Sequence, residues 1–231
     1  VALRGAASDG HSYLDSAAKL GAAAALVARG RSSAALPCIE VEDPLAALGR
    51  LAHYHVERIR AIHPVLSIAI GGAAGKTTTK EITAAMARAV FGPTLSTIAN
   101  FNNLIGVPMM LLMLTEEHRA MVIECGTNTR GEIPRLSAIV EPDVAMVLNV
   151  DLEHTEGLGS LADIADEEAA LFANTRRGAV IPTRDPMLAP RVPKRLATVT
   201  FGTSDDSNVQ LAQRSITGNG RAWLYVELDR W

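Results

Sequence analysis

The sequence predicts an α/β fold in which a mostly parallel sheet forms the larger part of the chain. Short apolar runs typical of buried strands alternate with helical patterns in the later part of the sequence, and a glycine-rich loop joins the first of these strands to a helix. The pair His63-Pro64 separates this region from a shorter α/β segment. We therefore expect a partial N-terminal domain at 1–62 and an incomplete central domain at 63–231 that ends in a β-hairpin.

In the first segment, one helix is supported by its capping residues as well as by its periodicity. Asp43 can cap its N-terminus, and Pro44 suits its first turn. Two histidines of this helix, His53 and His55, are interpreted as helix-face residues rather than ligands. Its apolar residues recur at helical spacing, namely Leu45, Leu48, Ala52 and Ile59. The segment is expected to contain a helix at 12–20, strands at 24–28 and 39–41, and this longer helix at 44–59.

The second segment begins with a compact apolar run at 65–70, of the kind found in buried parallel strands. Near the end of the chain, strand-like runs at 209–216 and 221–228 flank Asn219-Gly220, a pair that favours a tight hairpin turn. Other strands are expected at 121–124, 144–150 and 179–182, and helices at 78–91, 108–114, 133–140 and 161–173. The first of these helices is predicted to be amphipathic, with an apolar stripe formed by Ile82, Ala85, Met86 and Ala89.

Bulk composition argues against several classes of protein. The formal net charge is -3 and the sequence pI is near 6.1, so the whole chain has no electrostatic attraction to nucleic acid or to a membrane surface. Its two cysteines, Cys38 and Cys125, lack the spacing of a zinc site or a disulfide framework. The apolar runs are shorter than the ~20 residues that span a bilayer. We expect a monomeric, cytoplasmic protein.

The strongest chemical signal is the glycine-rich loop between the 65–70 strand and the 78–91 helix. Glycines allow a tight turn, so that successive backbone N–H groups and the helix N-terminus point at one anion. The lysine adds a cation, and the threonine hydroxyl adds a ligand for Mg²⁺. Ile70 stands where a full Walker A motif has its first glycine, so the match is to a shorter GxxGKT form. The predicted phosphate-binding residues are Gly72, Ala73, Ala74, Gly75, Lys76, Thr77 and Thr78.

Two positions that follow predicted strands are candidates for a magnesium site. Glu124 ends the 121–124 strand, which places its carboxylate at the carboxyl edge of the sheet. His154 follows the 144–150 strand in a loop that is rich in oxygen and nitrogen ligands. The alternative for Glu124 is a solvent-facing strand end, and for His154 it is a hydrogen-bonding loop residue. Taken residue by residue, both alternatives stay open.

Several motifs resemble those of the Mur ligases of peptidoglycan synthesis. The glycine-rich loop is similar to the family's GxxGKTT sequence, and the 100–108 segment resembles the NxNNxxGxP pattern of the subfamily that adds D-alanyl-D-alanine to a UDP-muramoyl tripeptide. The stretches that begin at Glu124 and Asn149 are similar to ExGxNxxGEI and NxxxxHxEGxGS. Upstream, Asp9-Gly10-His11 resembles a pattern of the domain that binds the UDP part of the substrate.

This resemblance implies an activity and a set of site residues. The family uses ATP to phosphorylate a substrate carboxylate, after which an amine displaces the phosphate. The implied partners are a UDP-linked muramoyl peptide and a dipeptide. The implied roles are Lys76 on the β and γ phosphates, Thr77 and Glu124 on one Mg²⁺, and His154 on a second. Further implied contacts are Asn100, Asn102 and Asn103 with the nucleotide and His11 with the UDP part, for which a structural turn is the alternative.

The sequence departs from the family pattern at Glu168, where the resemblance implies a carbamylated lysine, an anion near the second Mg²⁺. Glutamate already carries a negative charge, but its carboxylate lies about three bonds closer to the backbone. Our hypothesis is that Glu168 replaces the carbamate, provided that the helix or a water closes this gap. The sequence also starts and stops inside domains of the family, so we expect a fragment that binds ATP weakly and forms no amide bond alone.

Three alternative functions are weighed against this interpretation. A folylpolyglutamate or cyanophycin-type ligase of the same superfamily is disfavoured by the 100–108 segment. A general P-loop kinase or GTPase is disfavoured by the missing Walker A glycine. A non-catalytic nucleotide-binding module is favoured by Glu168 in place of the family lysine.

Overall fold

The computed structural model describes residues 1–5, 7–152, 155–216 and 222–228. Its α-helices are α1 (Leu14–Lys19), α2 (Pro44–Ile62), α3 (Lys76–Phe91), α4 (Gly106–Leu111), α5 (Glu132–Val140), α6 (Thr155–Leu158) and α7 (Leu161–Ala169). Short 3-10 helices occur at Gly10–Tyr13, Ala170–Phe172 and Ala189–Arg191. The strands are β1 (Ala25–Ala28), β2 (Cys38–Val41), β3 (Leu66–Gly71), β4 (Thr94–Ser96), β5 (Ala120–Glu124), β6 (Val144–Val147), β7 (Gly178–Pro182), β8 (Ala197–Gly202), β9 (Val209–Ile216) and β10 (Ala222–Leu228).

An eight-stranded sheet has the order β10-β9-β8-β7-β6-β3-β5-β4. Every neighbouring pair in it is parallel except β9 and β10, which are antiparallel. Parallel neighbours need crossover connections, and helices α3, α4 and α5 lie in the crossovers around β3, β5 and β6. The predicted α/β class with a mostly parallel sheet is confirmed. Because the strands are parallel, the carboxyl ends of β3, β5 and β6 meet at one edge.

Several elements differ in extent from their prediction. Strands β4 and β8 were not predicted, and β4 is only three residues long, too short for a periodic pattern. The strand expected at 144–150 already ends at Val147, and the helix expected at 161–173 ends at Ala169, followed by a 3-10 turn. The terminal hairpin is confirmed by the pairing of β9 with β10, whereas its turn at Asn219-Gly220 lies outside the described residues.

The first segment forms a separate two-stranded parallel sheet from β1 and β2. A small apolar cluster packs there, made of Ala2, Leu14, Ala25, Val27 and Leu36. Helix α2 instead packs into the core of the large sheet through Ala52, Val56 and Ile59. The helix that precedes the predicted boundary at residue 62 therefore packs in the core of the large sheet.

The core of the large sheet lies on both of its faces. On one face, α2, α4 and α5 cover a cluster that includes Val107, Met121 and Leu136. On the other face, α3 packs against Ile70 and Val122. All five residues of β5 are buried, as expected for a central strand of a parallel sheet that is covered on both sides.

The face with which α3 meets the sheet is not its predicted apolar stripe. Ile82 is 57% exposed and Met86 is 65% exposed, whereas Lys80, Ala84 and Ala87 are buried. Small alanines at the contact let the helix backbone approach the strands closely. The sequence pattern was dominated by the larger apolar side chains, which point away from the sheet, so the expected packing face of this helix was wrong.

The longest helix, α2, has 19 residues and carries arginine, glutamate and histidine side chains. Among the residues that the structure describes, no helix combines the length and apolar character that a membrane crossing requires. Cys38 and Cys125 are both free thiols.

The N-cap of α2 is confirmed, because the Asp43 carboxylate accepts hydrogen bonds from the N–H groups of Leu45 at 2.8 Å and Ala46 at 3.0 Å. We predict that Asp43→Ala lowers the free energy of unfolding by about 1 kcal/mol, because these N–H groups lose their acceptor. Asp43→Asn keeps an acceptor oxygen and should lose clearly less. Urea denaturation of both variants measures this, and equal losses would contradict the capping role.

Candidate phosphate-binding site

A turn with two left-handed glycines carries the chain from β3 into α3. Gly72 has a φ of 112° and Gly75 a φ of 85°, a region that favours glycine. A Cβ at Gly72 would also lie 2.9 Å from the backbone nitrogen of Leu148. Both the backbone conformation and the available space therefore require the glycine at position 72.

The N-terminus of α3 faces this turn with its first N–H groups. The N-cap residue is Gly75, which has no side chain to accept a hydrogen bond from them. The first N–H groups of a helix have no partner within the helix, and the helix dipole adds a partial positive charge there. The turn and the start of α3 thus form an arrangement that suits a phosphate group.

The loop is held in shape by its own lysine and by the segment after β6. Lys76 donates from Nζ to the carbonyl oxygens of Gly72 and, at 3.0 Å, Ala73. Asn149 Oδ1 accepts from the N–H of Ala74 at 2.8 Å, and Asn149 Nδ2 donates to the carbonyl of Ala74 at 3.1 Å. The backbone oxygen of Asn149 also accepts from the N–H of Ala73 at 3.2 Å. The loop is therefore preorganised.

Glu124, the last residue of β5, lies directly beside the start of α3. It is only 3% exposed. Its Oε2 accepts from the Thr77 hydroxyl at 2.9 Å, and its Oε1 accepts from Asn102 Nδ2 at 2.9 Å. The structure therefore brings together three predicted site residues and excludes the alternative of a solvent-facing strand end for Glu124.

The oxygen atoms around Thr77 fit a small divalent cation such as Mg²⁺, which prefers oxygen ligands and keeps several waters. Thr77 offers a hydroxyl and Glu124 a carboxylate. In the described ranges, no group of three or more His, Cys, Asp or Glu side chains is placed to hold a metal. His154, the predicted ligand of a second ion, lies outside the described residues.

Glu168 reaches the loop directly from α7. Its side chain is buried, and its Oε2 accepts a hydrogen bond from the N–H of Gly72 at 2.7 Å. The same oxygen would lie 2.8 Å from a Cβ at Gly71, so glycine at that position leaves room for it. The short side chain therefore contacts the phosphate loop without an intervening water.

Glu124 and Glu168 together create a negative environment next to the loop. Burial raises the pKa of the Cys125 thiol, and the charges of Glu168 and Glu124 raise it further. Buried carboxylates are costly unless they are paired with cations or hydrogen-bond donors. A phosphate bound here would add more negative charge, which favours the presence of cations such as the Lys76 ammonium or a metal ion beside it.

Helix α7 is fixed at both of its ends. At its start, Ser160 and Asp163 form a capping box, in which each side chain accepts a hydrogen bond from the backbone N–H of the other. Near its end, Glu167 accepts from the N–H groups of Gly131 and Ile133, each at 2.8 Å, and thereby caps α5. This double anchoring holds the adjacent Glu168 at the loop.

The other predicted asparagines have different surroundings. Asn103 Oδ1 accepts from the N–H groups of Ile105 at 3.0 Å and Gly106 at 2.9 Å, so it stabilises the start of α4. Asn102 contacts Glu124 through its side chain and Gly126 through its carbonyl. Asn100 is exposed in a turn before them.

His11 lines a cavity of 390 Å³ to which Arg4 and Arg31 also contribute. Its Nδ1 lies 2.6 Å from Asp9 Oδ1, and its Nε2 accepts from the N–H of Ala28 at 3.0 Å. Both ring nitrogens are thus engaged within the protein. The two arginines supply positive charge to the cavity, while the histidine joins the N-terminal turn to β1.

Sequence reasoning missed three buried polar residues near the site: Lys80, Thr97 and Glu167. The only available signal for Lys80 was its spacing, one helical turn after Thr77, which places both side chains on the same side of α3. Thr97 follows the unpredicted strand β4. Glu167 belongs to a run of acidic residues, a pattern that is more typical of a solvated helix face.

The fold and the site define a type of α/β protein in which a glycine-rich loop joins a parallel strand to a helix and a buried carboxylate lies at the next strand end. The chain belongs to the Mur ligase family, because the model of the Mur ligase middle domain matches residues 70–225. The resemblance seen in the sequence is thereby confirmed.

Curated relatives agree with this assignment. UDP-N-acetylmuramoyl-tripeptide--D-alanyl-D-alanine ligase of Haemophilus influenzae is 40% identical over 184 residues, covering 78% of this chain and 39% of the relative. The Escherichia coli enzyme of the same name is 42% identical over 173 residues, covering 75% and 37%. The chain thus spans about two fifths of the length of these relatives.

Solved structures show the same likeness. MurF from Acinetobacter baumannii superposes with a TM-score of 0.88 at 31% identity over 98% of this chain and 49% of that chain. MurF from Thermotoga maritima, solved in complex with ADP, gives 0.87 at 27% identity over 98% and 52%. Folylpolyglutamate synthase from Mycobacterium tuberculosis shares the fold with a TM-score of 0.61 at 17% identity over 80% and 51%.

The capping box of α7 gives a pH prediction. Hydrogen bonds from Ser160 and the nearby Arg130 lower the pKa of Asp163 from 3.8 to about 2. A carboxyl with a lowered pKa in the folded state stabilises the fold above its unfolded pKa and loses that contribution as the pH falls through the folded value. We therefore expect the wild-type protein to lose stability relative to Asp163→Asn between about pH 4 and pH 2.

The free energy of unfolding of both proteins, measured at several pH values, tests this expectation. Parallel pH profiles for wild type and Asp163→Asn would show that the capping box contributes nothing that depends on the charge of Asp163.

Proposed function

We propose that this chain is the nucleotide-binding and magnesium-binding part of an ATP-dependent ligase that adds D-alanyl-D-alanine to a UDP-linked muramoyl tripeptide. The observation that carries the proposal is the contact between the Thr77 hydroxyl and the Glu124 carboxylate at the start of α3. This contact lies where the proposed phosphate loop meets the carboxylate that we propose as a metal ligand. The identity of the curated relatives, 40% and 42%, supports the choice of reaction.

In the proposed reaction, an oxygen of the acceptor carboxylate attacks the γ-phosphorus of ATP, and ADP leaves. The amine of the dipeptide then attacks the acyl carbon, phosphate leaves, and the nitrogen loses a proton. Backbone N–H groups at the start of α3, residues 75–78, would bind and orient the phosphates, since those of Gly72, Ala73 and Ala74 already donate within the protein. The Lys76 ammonium would bind the β and γ phosphates. Positioning and charge stabilisation are what such a transfer requires from the protein.

Thr77 and Glu124 would hold Mg²⁺, with Asn102 orienting the carboxylate and His154 as the proposed ligand of a second ion. Bound Mg²⁺ supplies positive charge against the phosphates and the two buried carboxylates. We propose further that Asn100 and Asn103 border the nucleotide.

The first segment, residues 1–62, is proposed as part of the domain that binds the UDP end of the acceptor. The cavity lined by Arg4, Arg31 and His11 supports this, because guanidinium groups pair well with phosphates. Both nitrogens of His11 are engaged, so its part would be to shape the cavity.

Nucleotide binding is the first test of the proposal. We predict that Glu124→Gln weakens the binding of ADP by about tenfold in the presence of Mg²⁺ and changes it by less than about twofold without Mg²⁺, because the metal loses its carboxylate. Isothermal titration calorimetry measures both affinities. Glu116→Gln is the matched control, since this exposed residue precedes β5 at its opposite end. An equal loss in both variants, or the absence of any Mg²⁺ effect in wild type, would contradict the assignment.

Glu168 gives a second test, carried out in a ligase that contains this chain. We predict that transfer of D-alanyl-D-alanine is unchanged when carbon dioxide is removed, because the Glu168 carboxylate already supplies the anion. Glu168→Lys should make turnover dependent on added bicarbonate. If wild-type turnover falls without carbon dioxide and bicarbonate restores it, Glu168 does not replace the carbamylated lysine. If there is no turnover under any condition, a non-catalytic nucleotide-binding module is favoured.

A further inference from the structure

Lys80 is a buried cation that the proposed chemistry does not use. Its side chain is 2% exposed and is one of the large, almost fully buried side chains among the described residues. Burying an ammonium group is unfavourable unless hydrogen bonds and charges replace its water shell. A leucine or methionine would fill the same space without this cost, so the presence of lysine calls for a reason in what it contacts.

The contacts of Lys80 lead towards Glu124. Its Nζ donates to the carbonyl oxygen of Thr97 at 2.8 Å and to the carboxylate of Glu81 at 2.5 Å. Thr97 is 1% exposed, and its Oγ1 accepts from the backbone N–H of Glu124 at 2.9 Å. The N–H of Thr97 donates to the carbonyl of Val122 at 3.1 Å. All three hydrogen-bonding groups of Thr97 are therefore used to join α3 to the end of β5.

These contacts close a ring of hydrogen bonds. Thr77 and Lys80 lie one turn apart on α3, Thr77 binds the side chain of Glu124, and Lys80 reaches the backbone of Glu124 through Thr97. Glu124 is thus held at its carboxylate and at its N–H by the same helix. The segment between Thr97 and Asn102 lies within this arrangement, and Asn102 holds the other carboxylate oxygen.

We propose that Lys80 is a positioning residue that fixes Glu124 and the 97–102 segment against the first turn of α3, and thereby sets how strongly the site binds magnesium together with nucleotide. This inference rests on the proposed function for its metal. Lys80 Nζ binds Thr97 and Glu81, so in this proposal it acts through Glu124 and not by binding phosphate or metal itself. Without its ammonium group, the Thr97 carbonyl has no buried donor, and the end of β5 is free to move away from Thr77.

The test compares Lys80→Met, which keeps the length but removes the donor, with Lys80→Arg, which keeps a cationic donor. Ser137→Ala is the control, because it removes a buried hydrogen bond of 2.9 Å to Leu171 on the other side of the sheet. Calorimetric titration with ADP at a series of Mg²⁺ concentrations gives the Mg²⁺ concentration at which half of the increase in ADP affinity is reached. Melting temperatures report any general loss of stability.

We expect Lys80→Met to raise the required Mg²⁺ concentration by about tenfold, with metal-free ADP affinity changed by less than about twofold. Lys80→Arg should recover most of the effect, and Ser137→Ala should lower the melting temperature only. A Mg²⁺ dependence of Lys80→Met equal to that of Ser137→Ala would overturn the proposal. If Lys80→Met does not fold, Thr97→Val takes its place, because it removes only the hydroxyl that accepts from Glu124, and the same shift is expected.

Amide hydrogen exchange without nucleotide separates this inference from the proposed function. If the wild-type protein shows no Mg²⁺-dependent ADP binding, the proposed function fails. The exchange rate of the Glu124 amide then still tests whether Lys80 positions Glu124. Faster exchange at Glu124 in Lys80→Met than in Ser137→Ala supports the ring of hydrogen bonds. Equal rates in the two variants disprove it.

Discussion

The proximity of a buried carboxylate to a helix N-terminus is the constraint on which the site depends. Glu124 lies where β5 ends, and α3 begins only one strand away, after β3. This neighbourhood exists because β3 and β5 are parallel and adjacent, so their carboxyl ends open at the same edge. Hydrogen bonds from Thr77 and Asn102 offset the cost of burying the Glu124 carboxylate. At the loop, the N–H of Gly72 does the same for Glu168. The fold thus brings the proposed phosphate site and the proposed metal site next to each other.

The sequence predicted those parts of the site that follow strands. The loop could be located because glycines, lysine and threonine stood between an apolar run and a helix, and Glu124 because it ended another apolar run. Contacts between distant segments were less accessible. Lys80 breaks the apolar pattern of its helix, and its burial depends on a carbonyl from an unpredicted loop, so its spacing from Thr77 was not enough to identify it. The face of α3 was misjudged because Ala84 and Ala87 contribute little hydrophobicity to a pattern.

Two adjacent glutamates on α7 show how a short segment can serve separate purposes. Glu167 caps α5, whereas Glu168 accepts from the phosphate loop. Neighbouring residues on a helix point about 100° apart, so the two carboxylates reach different elements. The loop and the start of α5 are therefore tied to one rigid helix, which limits their independent motion. A run of acidic residues on a helix is more typical of a solvated surface, so the pattern does not reveal these two contacts.

Because Gly71 has no side chain, the Glu168 carboxylate can lie beside its backbone, and this limits which substitutions the two positions can accept. Its backbone is not in the left-handed region, so the local conformation would tolerate alanine, yet a Cβ there would lie 2.8 Å from Glu168 Oε2 and 3.2 Å from Leu171 Cδ2. A methyl group would push the carboxylate off the Gly72 N–H. Positions 71 and 168, far apart along the chain, should therefore covary: a side chain at the first is compatible only with a shorter or differently directed one at the second.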